Sequence, residues 1–176
     1  MEQISSDVVY RNAWMSVRED QIRRSDGTPG IYGVVDKPDF ALVIPSENDG
    51  FWMVEQYRYP ARRRAWEFPQ GSWGDGRHGS AAQLARAELR EETGLSAARL
   101  THLGNLFTAY GFCSQRFDVY LAEDLTPGVP DREPSEQDMT HRFVTDREFR
   151  ALVADGGIAD SSSLAAYSLL ALADRS

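Results

Sequence analysis

Cysteine, basic charge and long apolar runs are all scarce in this chain. One cysteine, Cys113, occurs among 176 residues, so no disulfide can form within the chain. The formal net charge of −8 at pH 7 argues against a protein that coats nucleic acid or binds a membrane surface, because both partners attract basic faces. No apolar run approaches the roughly 18 residues that a membrane span requires. We therefore expect neither a nucleic acid nor a membrane as partner.

Further features that the sequence lacks bear on the cellular location of the protein and on zinc or cysteine chemistry. The first ten residues, "MEQISSDVVY", have neither the basic segment nor the apolar core of a secretion signal, and with the single cysteine this predicts a cytoplasmic protein. The histidines have no His or Cys partners at the spacing of a zinc site, so we assign no zinc. No activating pattern surrounds Cys113, which argues against a nucleophilic role.

The residues that are present predict one compact α/β sandwich. Strand-like runs occupy residues 14–24, 30–38, 40–45, 51–59, 100–110 and 116–125. A helix is predicted from an N-cap at Ser80, where Gln83 completes a capping box, to a stop at Gly94. Two more helices are predicted over residues 146–154 and 163–173, and residues 125–138 are typical of a mobile surface loop.

The most distinctive segment is "AELREETGL", which concentrates carboxylates on one helix face. Glu88 is a helical neighbour of both Glu91 and Glu92, and like charges at this spacing repel by a few tenths of a kcal/mol per pair. A solvated acidic face is one interpretation. The other is a site for a hard cation such as Mg²⁺ or Mn²⁺, which binds carboxylates, waters and substrate phosphates.

Residues 71–95 resemble the signature box of the Nudix hydrolases, G-x5-E-x7-R-E-U-x-E-E-x-G-U, where U is apolar. The second half matches at Glu88, Leu89, Glu91, Glu92, Gly94 and Leu95. The first half departs: Ala87 replaces the arginine, Gly79 replaces the earlier glutamate, and Gly71 lies two residues too far from the helix. Because the two missing side chains form an opposite-charge pair, we interpret the departure as a remodelled loop, supported by Arg86 or Asp75.

The runs "VEQYRYPARRRAWEFPQGSW" and "LFTAYGFCSQRFDVYLAEDL" are similar to those that flank the box in ADP-ribose pyrophosphatases. This resemblance implies a Nudix-type α/β/α sandwich with a mixed sheet and an N-terminal antiparallel strand element. It also implies a nucleoside diphosphate-linked small molecule as substrate. The expected organisation is a strand element over 1–38, which forms a homodimer, and a hydrolase domain over 39–176.

The resemblance also implies roles for individual residues. Glu92 and Glu88 are the main Mg²⁺ ligands, with Mn²⁺ as an alternative ion, while Glu91 and the backbone carbonyl of Gly71 assist. A general base is expected after the last large strand, where Glu136 is the first candidate and Asp138 the second.

Substrate contacts are implied at Arg58, Glu67 and Trp66, where the family lines its cleft. Each has a structural alternative, since an Arg–Glu pair is often only a salt bridge and a tryptophan beside Phe68 is often core. Tyr110 lies about sixteen residues beyond the box glycine, where ADP-ribose pyrophosphatases normally have proline. A tyrosine there is more typical of relatives that act on dinucleoside polyphosphates.

Three functions follow from these patterns. The favoured one is a metal-dependent pyrophosphohydrolase of ADP-ribose or a related nucleoside diphosphate sugar. The second is a dinucleoside polyphosphate hydrolase, and the third is a catalytically silent nucleotide sensor. Retention of all three helix glutamates argues against the sensor, because a pure binder gains little from their repulsion.

Overall fold

The computed structural model describes residues 1–74, 78–132 and 136–173, and they fall into two compact units. The first unit combines Met1–Asp39 with Leu106–Phe117, and the second combines Phe40–Asn105 with Asp118–Ser176. In the described part of the chain, no helix is long and apolar enough to cross a membrane.

The first unit is built on an antiparallel sheet in the order β1-β2-β3. Its strands are β1 (Glu2–Arg11), β2 (Ser16–Arg23) and β3 (Pro29–Asp36). The segment 111–114 joins this unit beside β3: Val35 donates its backbone N–H to the Phe112 carbonyl (2.8 Å), and Ser114 donates to the Val35 carbonyl (3.0 Å). The sequence patterns did not include β1, whose residues are exposed along the whole strand.

The second unit contains a larger sheet with the strand order β10-β5-β4-β9-β8. Its strands are β4 (Phe40–Glu47), β5 (Gly50–Arg58), β6 (Arg63–Glu67), β7 (Gln70–Gly71), β8 (Ser96–Phe107), β9 (Arg116–Thr126) and β10 (Thr140–Thr145). The strand β6 pairs with β5, β7 pairs with β4, and a short 3₁₀ turn, Tyr59–Ala61, precedes β6.

Helices cover both faces of this sheet, and the alternation along β4 shows how. Ala41 and Val43 pack in one cluster with residues of α1 (Ala81–Thr93), while Leu42 and Ile44 are fully buried and point the other way. On that other face, α2 (Asp146–Ala154) contributes Phe149 and α3 (Ser161–Ala173) contributes Tyr167 to an aromatic cluster with Phe51 of β5 and Phe68. A strand buried on both faces has the continuous apolar run seen here.

The predicted helices agree closely with the structure. Ser80 caps α1 and forms the expected capping box with Gln83, and Gly94 ends the helix at φ 77°, where glycine is unstrained. The helix α2 has the predicted bounds. The helix α3 begins two residues earlier than predicted, because the Asp160 carboxylate accepts hydrogen bonds from the backbone N–H groups of Ser162 and Ser163.

Candidate active site

Three carboxylates project from the C-terminal half of α1. The helix buries Leu84, Ala85 and Leu89 in the core of the second unit. That orientation leaves Glu88 only 8% exposed and Glu92 only 1% exposed, while Glu91 is partly buried. The interpretation of Glu88, Glu91 and Glu92 as a solvated acidic helix face is therefore wrong for this helix.

Glu92 is the most unusual group of the site. Within the described residues, neither of its side-chain oxygens has a hydrogen-bond partner, although both are buried. Burial raises the pKa of Glu92 well above its ordinary value of 4.5, and the charges of Glu88, Glu136 and Glu67 add to the shift. A buried carboxylate without a partner costs several kcal/mol when ionised, so this group requires either a proton or a cation.

Gly71 forms the opposite wall of the carboxylate cluster. The short strand β7 pairs Gly71 with Ala41 of β4, and this pairing brings the Gly71 backbone against the Glu88 side chain. A Cβ atom at Gly71 would lie 2.6 Å from the Glu88 carboxyl carbon and from both of its oxygens. Only glycine allows so close an approach, which places a backbone peptide beside the carboxylates.

These residues fit a divalent cation, although their present spacing is not that of a closed metal site. In the described ranges, no three His, Cys, Asp or Glu side chains are grouped closely enough to hold an ion. The donors are nonetheless all hard oxygens, which Mg²⁺ and Mn²⁺ prefer. The Glu92 oxygens, unpaired among the described residues, and the close approach of the Gly71 backbone to the Glu88 carboxylate are the observations that favour a cation.

Arg58 and Glu67 form an ion pair near the carboxylates, as the structural alternative for these residues predicted. Arg58 Nη2 lies 2.5 Å from Glu67 Oε1, and Gln56 Nε2 donates to the same oxygen at 2.7 Å. Glu67 is 2% exposed, and its burial raises the pKa despite the attraction of Arg58. The Arg58 side chain is 44% exposed, so it is partly accessible to a ligand.

The structure gives Trp66 a structural contact and leaves Tyr110 exposed. Arg142 stacks over the Trp66 ring at 4.6 Å, and Trp66 donates its backbone N–H to the Gly157 carbonyl. Tyr110 belongs to the first unit and is 84% exposed. Of the predicted substrate contacts, Arg58, Glu67 and Trp66 therefore share the second unit with the carboxylates.

Glu136 lies in a turn over residues 136–139 that precedes β10, and we name this segment the Glu136 turn. Met139 donates its backbone N–H to the Glu136 carbonyl at 2.9 Å, and the Met139 side chain is buried. The charge of Glu136 acts on the Glu92 carboxyl, which places the two acids in one electrostatic cluster. Asp138, the second candidate base, is held by Arg64 at 2.6 Å.

Sequence reasoning missed two residues that organise the site. Arg132 donates from Nε to the Glu92 carbonyl at 3.1 Å, and its Nη2 lies 2.7 Å from His141 Nδ1. Burial and the Arg132 charge lower the pKa of His141, which agrees with a neutral ring that accepts this hydrogen bond. Neither residue has a local sequence signal, because their partners lie on other elements.

The remodelled first half of the box has its own contacts. Trp73 donates its indole N–H to the Gly79 carbonyl at 3.3 Å and packs against the core cluster under α1. A Cβ atom at Gly79 would lie 2.9 Å from the Trp73 ring, so the glycine makes room for this contact. Arg86 instead donates to the Ala97 carbonyl at 2.6 Å, and Asp75 lies outside the described residues.

Comparisons with known proteins match nearly the whole chain. Residues 36–162 match the family described as "NUDIX domain", and residues 1–35 match "Nucleoside diphosphate sugar hydrolase N-terminal domain". An ADP-ribose pyrophosphatase of Mycobacterium tuberculosis is 36% identical over 93% of this chain and 80% of its own length. An ADP-ribose pyrophosphatase of Bacillus subtilis is 26% identical over 96% of this chain and 91% of its own.

A solved structure also matches the fold. A crystal structure of an ADP compounds hydrolase superposes with a TM-score of 0.83, covering 97% of this chain and 92% of that one. At 21% sequence identity, this likeness concerns the fold alone. The predicted α/β/α sandwich with its mixed sheet and antiparallel N-terminal strands is confirmed.

Proposed function

The chain belongs to the Nudix hydrolases, and from that premise we propose that it hydrolyses the diphosphate of ADP-ribose or a related nucleoside diphosphate sugar. The products are a nucleoside monophosphate and a sugar phosphate. The observation that carries this proposal is the buried Glu92 carboxylate, which has no hydrogen-bond partner among the described residues, together with the Gly71 backbone that lies against Glu88. A group so costly to bury is explained by a ligand that needs it.

The ligand we assign to this cluster is Mg²⁺, with Mn²⁺ as an alternative. Glu92 and Glu88 would be its main ligands, while Glu91 and the Gly71 carbonyl would complete the set from the protein. A divalent cation bound there supplies positive charge that screens the substrate phosphates and acidifies a water molecule. By holding the cation, the carboxylates would also fix where the diphosphate binds. This positioning lowers the entropic cost of bringing the water and the phosphorus together.

Glu136 is the general base in this proposal. A carboxylate oxygen of Glu136 accepts a proton from the attacking water, whose oxygen then forms a bond to phosphorus. The bond between that phosphorus and the bridging oxygen breaks, and the second phosphate leaves with the bridging oxygen. Glu136 is supported in this role because its turn lies within electrostatic reach of Glu92, while Asp138 is engaged by Arg64.

Substrate binding is assigned to Arg58, Glu67, Trp66 and Tyr110. The partly exposed Arg58 side chain suits a substrate phosphate, and Glu67 orients it through their ion pair. Trp66 presents an aromatic ring that Arg142 already covers on one side. We assign the Trp66 ring, and the ring of the exposed Tyr110, to stacking on the base or ribose of the substrate.

The departures in the signature box do not remove the features that this chemistry needs. The missing Arg–Glu pair of the family pattern would have supported the loop before α1. In this chain Trp73, Gly79 and the capping box of α1 tie the described ends of that loop together. We therefore favour an active hydrolase over a silent sensor.

We also propose a homodimer, with residues 1–38 as the dimerising element and residues 39–176 as the hydrolase domain. The sheet of the first unit exposes several large apolar side chains, namely Ile4, Val8, Val9, Tyr10 and Ile31. A second copy of the chain would cover them. Light scattering should then give about twice the chain mass of 19.8 kDa, and a value near one chain mass would end the proposal.

The remaining partners follow from charge and chemistry. The proposed substrate is a small nucleoside diphosphate conjugate, and the net charge of −8 makes nucleic acid or an anionic membrane an unfavourable partner. The cytoplasm stays the proposed location, on the ground of one cysteine in 176 residues.

A substrate panel tests the proposed function. ADP-ribose, GDP-mannose, UDP-glucose, NADH and diadenosine polyphosphates are incubated with the chain in Mg²⁺ or Mn²⁺. Glu92→Gln should abolish hydrolysis, and the matched variant Glu47→Gln, at the exposed end of β4, should not. Preferential cleavage of diadenosine polyphosphates would favour the second function. Binding without cleavage of any compound would favour the sensor.

A further inference from the structure

Arg64 lies outside the proposed machinery and makes four hydrogen bonds, two of them to the Glu136 turn. Its guanidinium donates from Nε to Glu55 Oε2 at 2.8 Å and from Nη2 to the Glu55 carbonyl at 3.2 Å. It also donates from Nη1 to Asp138 Oδ2 at 2.6 Å and from Nη2 to the Asp138 carbonyl at 2.8 Å. One side chain therefore joins β6 and β5 to the Glu136 turn.

The sheet explains how one arginine reaches so far. Glu55 of β5 pairs with Trp66 of β6 on one side and with Thr140 of β10 on the other. Arg64 lies two residues before Trp66, and Asp138 lies two residues before Thr140. The Arg64 guanidinium thus spans the end of β5 and binds Asp138, which lies just before the first residue pair of β10.

An ordinary surface ion pair does not account for this geometry. The Asp138 side chain is 62% exposed, and exposed pairs add little to stability. Two of the four acceptors are backbone carbonyls, so the planar fork of arginine fixes the path of the main chain. A flexible lysine cannot reproduce that fork.

The fixed position of the Glu136 turn matters because the turn lies near the carboxylate cluster of α1. Glu136 lies close enough to Glu92 for the two side chains to interact electrostatically, so the path of the Glu136 turn decides how near Glu136 comes to the carboxylate cluster. Contacts that fix this path therefore fix the position of Glu136. Met139 anchors the turn by its buried side chain, and Arg64 anchors it at Asp138.

We propose that Arg64 is a positioning residue that holds the Glu136 turn against the carboxylate cluster, so that Glu136 reaches the attacking water. The inference rests on the proposed function, in which Glu136 is the general base. Arg64 itself touches neither substrate nor metal in this account. Its contribution therefore appears only while Glu136 is present.

A double-mutant cycle tests this dependence on ADP-ribose hydrolysis. Arg64→Ala should lower kcat roughly 10- to 100-fold and change KM less than about twofold, because the base is displaced while substrate contacts persist. In a Glu136→Gln background, the same substitution should lower kcat less than about twofold. Arg64→Lys should be intermediate, and Arg147→Ala, which removes an exposed arginine of α2, should match the parent chain.

Asp138→Asn provides a second route that does not depend on Arg64. It removes the exposed carboxylate but leaves the backbone carbonyl, so a smaller loss of kcat, about threefold, is expected. Equal losses from Arg64→Ala in both backgrounds would overturn the inference, as would full activity of Arg64→Ala while Glu136→Gln is inactive. Failure of the proposed function would appear differently, as a parent chain without hydrolysis or a fully active Glu136→Gln.

Discussion

Removing the charge of Glu92 should stabilise the metal-free protein while it destroys activity. Glu92→Gln keeps the shape of the side chain and takes away a buried carboxylate that has no hydrogen-bond partner in the described structure. The amide is also buried without partners, so only the cost of the charge is relieved. We expect about 1–2 kcal/mol of added stability near pH 8.

The sign of the pH dependence follows from the raised pKa. The folded protein holds the Glu92 proton at pH values where the unfolded chain, with a pKa near 4.5, has lost it. Metal-free stability attributable to this group is therefore fully present below about pH 4.5 and falls as the pH rises through the raised pKa. The gap between Glu92→Gln and the parent should widen over the same range.

Thermal unfolding with and without Mg²⁺ measures both effects. In EDTA the variant should melt roughly 2–8 °C above the parent, since 1 kcal/mol shifts Tm by about 2–4 °C at this chain length. At a Mg²⁺ concentration of about 100 times Kd, the parent should gain about 2.7 kcal/mol and the variant much less. The order of the two melting temperatures should therefore reverse.

Glu91→Gln is the matched control, because it removes one charge from the same helix at a more exposed position. Its stabilisation in EDTA should be clearly smaller than that of Glu92→Gln. The reasoning is refuted if Glu92→Gln melts below the parent in EDTA, or if Mg²⁺ stabilises both proteins equally.

Two further predictions concern the walls of the site. Gly71→Ala should reduce kcat/KM roughly 100-fold because its Cβ displaces the Glu88 carboxylate, whereas Gly74→Ala, with no atom within 4 Å of its Cβ, should stay near the parent in the same assay. Arg58→Ala should lower the free energy of unfolding by about 2 kcal/mol in urea titrations, because Glu67 stays buried without its cation. Adding Glu67→Gln should recover part of that loss, and no recovery would contradict the ion-pair explanation.

The features that sequence predicted best are those fixed by local contacts. The capping box at Ser80 and Gln83 and the stop at Gly94 involve residues within a few positions of each other, so the bounds of α1 were predictable. The start of α3 was predicted two residues too late because Asp160, three residues before the predicted start at Ser163, accepts the hydrogen bonds that cap the first turn.

The strands that sequence missed depend on distant partners. The strand β10 mixes the polar His141 and Arg142 with Phe143 and Val144, and it forms because β5 offers backbone groups across the register His141–Val54. The strand β6 is similar, since its arginine-rich residues pair with the same β5. Neither segment has the extended apolar or strictly alternating run that predicts a strand.

Sequence predicted the carboxylates of the candidate site but not the residues that bury and position them. The spacing of Glu88, Glu91 and Glu92 follows from helix geometry, but the burial of Glu92 depends on packing from other segments. For Arg58 and Glu67, sequence left open a salt bridge or a substrate contact, and the structure forms the salt bridge while exposing part of Arg58. Arg64 was visible only as part of an arginine run.

The most direct test is the appearance of AMP and ribose 5-phosphate from ADP-ribose as Mg²⁺ is titrated into the metal-stripped chain. We predict no product in EDTA, saturable product formation with Mg²⁺, and a loss of about a thousandfold in kcat for Glu92→Gln. Product formation that is independent of added metal, or undiminished in Glu92→Gln, would contradict the claim that this buried carboxylate cluster binds the metal for pyrophosphate hydrolysis.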